Sequence, residues 1–195
     1  MGEWTPPDPR GITDSVMFHI RFSAGRALVG LAALVVAVGC VRPRDLAKFD
    51  GARPTMRPET FFAGTTTGWG VIQTRDGRPS RPFEVSSEGT TQRDGNFRLT
   101  QTVRFADGKV DHRVWVMTRI DATHYRASLS DARGPVRAEV HGNVFHLEYP
   151  LRRRGVVMEQ WLYLLPDGKT VLNTGTIRAL GIPVARLSER ISRED

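Results

Sequence analysis

Short turn dipeptides recur through most of the chain, and they limit its fold more than any other feature. Asp-Gly occurs at 76–77, 94–95, 107–108 and 167–168, and Gly-Asn occurs at 142–143. Glycine and asparagine adopt positive φ at low energetic cost, so these pairs are typical of tight β-hairpins. The runs between them are rich in Val, Thr, Phe, Tyr and Trp, which favour strands. The pattern predicts a series of hairpin-linked strands from residue 65 onward.

The strand runs alternate between apolar and polar residues, as half-buried strands do. In the run 97–105, one face carries Phe97, Leu99, Val103 and Phe105. The runs 113–120 and 158–165 are apolar on both faces, which predicts strands covered on two sides. About nine or ten such strands predict an all-β, antiparallel up-and-down barrel, because closure removes exposed edges. A two-sheet sandwich is the alternative that the same pattern allows.

An uncharged apolar run from 27 to 41 precedes this region. It is short for a membrane span, which needs about 20 residues, but it suits the apolar region of an export signal. Residues 37–39 (Ala-Val-Gly) before Cys40 resemble the lipobox of bacterial lipoproteins. That resemblance implies that Cys40 is lipidated and becomes the mature N-terminus. An uncleaved anchor helix is the alternative reading of the run.

These features divide the chain into three parts. We expect residues 1–39 to be a lipoprotein signal peptide whose translation begins at Met17, because the preceding stretch is acidic and proline-rich. We expect residues 40–60 to be a lipidated cysteine followed by a basic, flexible tether. The barrel then occupies residues 61–195. Valine rather than aspartate follows Cys40, and by analogy with other lipoproteins this predicts a periplasm-facing anchor in the outer membrane.

The charge of the mature chain indicates its surroundings. Residues 1–39 contain three basic and three acidic side chains, so the remainder keeps the net charge of +7. Such a charge is typical of nucleic-acid-binding domains, but export argues against that partner. Anionic lipid head groups are the expected counter-charge, and a purely solubilising role is the alternative.

Six short motifs together resemble a known family. They are FFAG (61–64), GWG (68–70), RVW (113–115), HGN (141–143), EQWLYLL (159–165) and NTGTIRALGIPVARLSERI (173–191). In this order and spacing, they are similar to the DUF3833 family of bacterial lipoproteins, over about Phe49 to Ile191. The resemblance implies a lipocalin-like barrel in the cell envelope. Family members tend to carry two acids where this chain has Glu159 and Gln160, so a role for paired acids does not carry over.

A barrel of about this size has room for side chains or for one small ligand. The residues that we predict to contact a ligand are aromatic side chains for its apolar part and an arginine cluster at the rim: Trp69, Trp115, Trp161, Tyr163, Arg152, Arg153 and Arg154. Guanidinium groups bind phosphate oxygens well, which suits lipid head groups. The alternatives are an aromatic core and a solvated charged hairpin tip.

Catalytic signals are sparse. The sequence contains no nucleophile elbow, phosphate-binding loop or zinc-protease motif, and we expect neither a cofactor nor a metal. A two-residue turn at 142–143 places Glu139 opposite His146, which forms a weak candidate acid/base pair; a polar pair on the outer face is the alternative. Residue parity predicts that His141 and His146 lie on opposite faces.

Three functions fit these observations. The first is an anchored barrel that binds or shields a fatty acyl or other lipid-type ligand. The second is an envelope lipid-modifying enzyme that uses Glu139 and His146. The third is an assembly lipoprotein whose filled barrel docks a protein partner. A cavity inside the barrel favours the first over the third.

Overall fold

The computed structural model describes residues 45–194. Two short helical segments come first, a 3-10 turn at Leu46–Phe49 and helix α1 at Pro58–Phe61. Ten strands follow: β1 (Gly64–Thr74), β2 (Pro79–Thr91), β3 (Phe97–Phe105), β4 (Val110–Arg119), β5 (His124–Leu129), β6 (Val136–His141), β7 (Val144–Pro150), β8 (Val156–Leu164), β9 (Thr170–Ala179) and β10 (Ile182–Arg193).

Each strand pairs antiparallel with its neighbours in sequence, and β1 also pairs with β10, which closes a ten-stranded barrel. The all-β, up-and-down barrel is therefore confirmed, and the sandwich is wrong. The five turn dipeptides all lie between consecutive strands, in the connections that the sequence predicted. Glycine takes positive φ in each of them, between +53° and +88°, as tight hairpins require.

The predicted alternation sets the interior. Phe97, Leu99, Val103 and Phe105 are all buried and point inward from β3. The hairpin register also corrects one expectation. His141 pairs with Val144, and Glu139 pairs with His146. Residues that face each other across an antiparallel pair share a face, so His141 and His146 lie on the same outer face; parity counted through the turn gave the wrong answer.

The segment before the barrel differs from the expected tether over residues 46–60. Met56 is only 1% exposed, and its N–H donates to the carbonyl of Gly142 at 2.8 Å. The Phe49 ring lies edge-on against Tyr163 at 5.7 Å between centroids. A few apolar side chains, separated by turns, pack this segment against the outer wall and one end of the barrel. The prediction of a tether relied on the basic, proline-rich composition of the segment, which does not indicate these contacts.

The two ends of the barrel are different. At the end that we call the helix end, α1 covers the opening, and both Phe61 and Phe62 are buried. The Tyr125 hydroxyl donates to Glu59 there at 2.7 Å. The opposite end, called the distal end, is formed by the β1–β2, β3–β4, β5–β6, β7–β8 and β9–β10 connections. Helix α1 therefore closes one mouth of the barrel.

The predicted signal peptide, the lipobox and Cys40 lie outside the described residues, so their assignments stay predictions. Within residues 45–194, no helix has the length and apolar character needed to cross a bilayer.

Truncation of Met56 tests whether the segment before β1 stabilises the barrel. We expect Met56→Ala to lower the free energy of unfolding by about 2–4 kcal/mol, because the side chain is fully enclosed. The exposed Lys48→Ala is the matched control and should change it by less than about 0.5 kcal/mol. Urea denaturation measures both, and equal effects would show that residues 46–60 behave as a detached tether.

Candidate functional site

The barrel encloses a cavity of about 160 Å³. Its lining is mainly aromatic and aliphatic, and Phe62 bounds it toward the helix end. Toward the distal end it reaches Leu151 and Ile177, which lie where β7 and β9 end. The volume is similar to the ~150 Å³ of apolar cavities that accept benzene. The interior is therefore partly hollow.

A carboxyl group lies within this apolar lining. Glu189 points inward from β10, and Asn173 on β9 donates to it at 2.9 Å. Two glycines of β1 leave space inside the same part of the barrel. A methyl group added to Gly68 would lie 2.7 Å from Glu189 Oε1, and one added to Gly70 would lie 2.4 Å from the Phe83 ring. The GWG motif thus provides room for the carboxyl group and for an aromatic ring.

Burial raises the pKa of Glu189 to about 7, although the hydrogen bond from Asn173 and the charge of Arg113 act in the opposite direction. Removal from water disfavours the charged carboxylate. Near neutral pH, Glu189 therefore exists in both forms, and its protonated form can donate a hydrogen bond inside the barrel.

Further polar side chains line the same cavity. The Trp115 indole donates to Gln101 at 2.9 Å, and Gln101 donates to Ser87 at 3.1 Å. Opposite them, the Tyr149 hydroxyl donates to Gln160 at 3.1 Å. Burial raises the pKa of Tyr149, so its hydroxyl stays protonated. These pairs orient two amide groups toward the cavity.

Arg113 brings a positive charge to the lining. Its Nε lies 3.2 Å from Asp131 Oδ2, but the N–H is not aligned for a hydrogen bond. The buried Asn173 Oδ1 likewise finds no hydrogen-bond partner among residues 45–194. Buried polar atoms normally find partners, and exceptions often mark sites for a ligand or water. The cavity therefore offers both donors and acceptors to a molecule with one polar end.

The structure separates the predicted aromatic residues. Trp115 lines the cavity. Trp69 is 66% exposed on the outer wall. Trp161 and Tyr163 lie under the N-terminal segment, with Trp161 6.4 Å from the Phe49 ring. Of the four, only Trp115 belongs to the cavity, because β1 and β8 present the other three on outward-facing positions.

The predicted rim, Arg152–Arg154, lies in the β7–β8 connection at the distal end, and all three side chains are exposed. None of the three lines the cavity.

The candidate acid/base pair is brought together in register, but each side chain has a different polar partner. Glu139 is ion-paired with Arg137, whereas His146 Nε2 lies 3.2 Å from Glu159 Oε1. Burial acts to raise the pKa of Glu159, but hydrogen bonds from Arg178, His146 and Trp161 lower it overall. Among residues 45–194, no group of three or more His, Cys, Asp or Glu side chains is placed to hold a metal ion.

Sequence reasoning missed the polar lining: Gln101, Arg113, Gln160, Asn173 and Glu189. For two of these residues, the sequence did contain a signal of an inward-facing polar side chain. Gln101 occupies an apolar phase of β3, between Leu99 and Val103, and Glu189 lies between the inward-facing Leu187 and Ile191. A polar residue in the buried phase of an alternating strand is the pattern to look for.

Residues 34–193 match the sequence profile described as "protein of unknown function (DUF3833)". The chain belongs to the DUF3833 family. The resemblance drawn from the short motifs is confirmed, and the match extends over both the N-terminal segment and the barrel. No curated protein matches the sequence.

Two solved structures share the fold of this DUF3833 protein. An S-type phycobiliprotein lyase from Guillardia theta has 11% identity and a TM-score of 0.56; the match covers 72% of this chain and 94% of the lyase. A DUF3598 protein from Nostoc punctiforme has 17% identity and a TM-score of 0.55. That match covers 73% of this chain but 51% of the Nostoc protein, so the chain spans about half its length. At these identities the likeness shows the lipocalin-like fold alone.

Glu189→Gln tests the state of the buried carboxyl group. The unfolded chain loses this proton near pH 4.5 and the folded protein near pH 7, so ionisation of Glu189 destabilises the fold as pH rises through this window. Glutamine cannot ionise. We expect the variant to be more stable than the parent at pH 8, by up to about 3 kcal/mol, and by much less at pH 4.5.

Urea denaturation at the two pH values measures this difference. The exposed Glu88→Gln is the control and should leave the pH dependence of stability unchanged. A Glu189→Gln protein with the same stability difference at both pH values would contradict the assignment.

Proposed function

We propose that this DUF3833 protein is a membrane-anchored lipoprotein whose barrel binds a small apolar ligand with one oxygen-bearing polar end, such as an acyl group. The observation that carries the proposal is the cavity. It combines an apolar lining with a cluster of oriented polar groups and with buried polar atoms that lack partners. Ligand sites typically combine an apolar wall with a few polar groups that fix orientation.

A packed core would not need this arrangement. Glu189, Arg113 and the three interior amides occupy positions that apolar side chains would fill at lower cost. Two β1 glycines leave space for the Glu189 carboxyl group and the Phe83 ring instead of filling the cavity. A partly hollow barrel supports the ligand-binding hypothesis over an assembly lipoprotein with a filled barrel.

The polar cluster suggests how such a ligand would lie. A carbonyl or carboxyl oxygen accepts hydrogen bonds, and the guanidinium group of Arg113, which lines the cavity and pairs with Asp131 through Nε, is one donor. Protonated Glu189 is a second donor at about neutral pH. The remaining wall accommodates hydrocarbon. With a volume of about 160 Å³, the cavity encloses a ring or the first part of an acyl chain, and a longer chain extends toward the distal mouth.

The membrane anchor rests on the sequence. The short apolar run, the small residues 37–39 and the single cysteine at position 40 support lipidation, and valine rather than aspartate after Cys40 supports an outer-membrane location. Two or three acyl chains on one cysteine give stable anchoring, whereas a single chain is marginal. The barrel would then sit close to the source of acyl ligands.

Tryptophan fluorescence tests ligand binding. Titration with fatty acids of increasing chain length is expected to change the emission of the parent protein and of Trp69→Phe, because Trp69 lies on the outer wall. The change should be lost in Trp115→Phe, whose indole lines the cavity. A native mass spectrum with no bound fatty acid, together with no emission change in the parent, would refute the acyl ligand.

Cys40→Ser tests the anchor. We expect the parent to incorporate labelled palmitate and the variant not to incorporate it. Ser130→Ala, which leaves Cys40 intact, is the control substitution and should incorporate labelled palmitate as the parent does. Retention of labelled palmitate by the Cys40→Ser protein would refute the anchor while leaving the ligand proposal intact.

A further inference from the structure

The exposed apolar side chains of the described residues are concentrated at one turn. Of the seven large hydrophobic side chains that are exposed in residues 45–194, three lie within residues 180–184. Leu180 is 86% exposed, Ile182 55% and Val184 37%. Single exposed hydrophobic residues are ordinary, but a cluster marks an interaction surface. We call Leu180, Ile182 and Val184 the apolar tip.

The backbone at the apolar tip presents these side chains at an energetic cost. Leu180 and Gly181 form the two-residue turn between β9 and β10, with φ of +50° and +81°. Asparagine and glycine suit such positions, whereas leucine is disfavoured there by the contact between its Cβ and the backbone. The pairing register shifts between Pro183 and Ala185, so Val184 is the extra residue of a bulge. Barrel stability explains neither the leucine nor its exposure.

A basic loop lies beside the apolar tip. The Leu180 N–H donates to the carbonyl of Gly155 at 2.8 Å, which joins the β9–β10 turn to the β7–β8 connection. That connection carries Arg152, Arg153 and Arg154, all exposed. Among residues 45–194, no carboxylate forms an ion pair with them.

The carboxylates of the distal connections are already neutralised. They are ion-paired at 2.7, 2.8 and 3.2 Å in the pairs Asp76–Arg78, Asp107–Arg81 and Asp131–Arg113. The five distal connections contain seven basic and three acidic side chains, against two and three in the four strand-to-strand connections at the helix end. The distal end is therefore the positive end of the barrel.

We propose that the distal end docks on an anionic bilayer, with the apolar tip inserted among the acyl chains and Arg152–Arg154 against lipid phosphates. A stable protein interface needs about 800 Å² per partner, whereas a two-residue turn protrudes and offers little area. A fluid bilayer accommodates such a protrusion. Arginine beside it matches the phosphate charge, and each basic residue near an anionic surface strengthens binding.

Docking in this orientation places the distal end of the cavity, at Leu151 and Ile177, toward the membrane. Where the proposed ligand function holds, an apolar ligand can then pass between bilayer and barrel without crossing bulk water. The docking itself depends neither on a ligand nor on lipidation of Cys40, so the two proposals fail separately.

A site-specific fluorophore on the full chain tests the orientation. Cys40→Ser removes the single native thiol, and an environment-sensitive NBD label is attached at Ile182→Cys or, for the helix end, at the exposed Arg93→Cys. Vesicles contain phosphatidylcholine alone or with phosphatidylglycerol. We expect a blue shift and nitroxide-lipid quenching for the label at 182 with anionic vesicles, and neither for the label at 93.

Two further variants, each carrying the label at 182, separate the parts of the surface. Leu180→Asp is expected to abolish the blue shift, whereas Ile120→Asp, the same kind of change at an exposed apolar residue of the helix end, is expected to leave it intact. Replacing Arg152, Arg153 and Arg154 with glutamine is expected to remove the difference between anionic and neutral vesicles.

Two results would overturn the proposal. One is an equal response of the two labels, which shows adsorption without orientation. The other is a label at 182 that shows neither a blue shift nor nitroxide-lipid quenching with anionic vesicles. A blue shift that appears only with a co-purifying protein counts as the same result.

Discussion

Closure of the sheet is the constraint on which the rest of this structure depends. The hydrogen-bonded ladder between β1 and β10 leaves neither strand with an open edge. Closure also creates an inside, and β1 contributes glycine to it at positions 68 and 70. Side chains there would collide with the Glu189 carboxyl group and the Phe83 ring. The strand that completes the barrel thus also preserves space within it.

That space is what distinguishes this interior from an ordinary core. An apolar lining stabilises the barrel, whereas the buried polar groups of Glu189, Arg113 and three amide side chains lower its stability. The raised pKa of Glu189 reflects the cost of burying its charged form in this lining. Proteins keep such costly groups mainly where they do chemical work or hold a ligand. The outer cluster around Glu159 differs, because Arg178, His146 and Trp161 all donate to its carboxylate.

The two ends of the barrel differ in closure and in charge. Helix α1 and the residues before it close one mouth with buried apolar side chains. The other end carries the exposed arginines of the β7–β8 connection and an exposed leucine in a left-handed turn. This polarity gives a barrel a direction relative to a surface. It makes the docking proposal a statement about orientation as well as attachment.

The sequence by itself determined the strands, their hairpins and the barrel, because turn dipeptides and period-two alternation are local signals. It also identified the family. It named four aromatic residues as ligand contacts, and the structure places only Trp115 of these four in the cavity lining. Only the tertiary structure decided which residues share the cavity, since Gln101 on β3 lies far along the chain from Asn173 and Glu189 on the β9–β10 hairpin. It likewise showed that residues 46–60 pack on the barrel and that Trp69 faces outward. These outcomes depend on register and on long-range contacts, which no local pattern encodes.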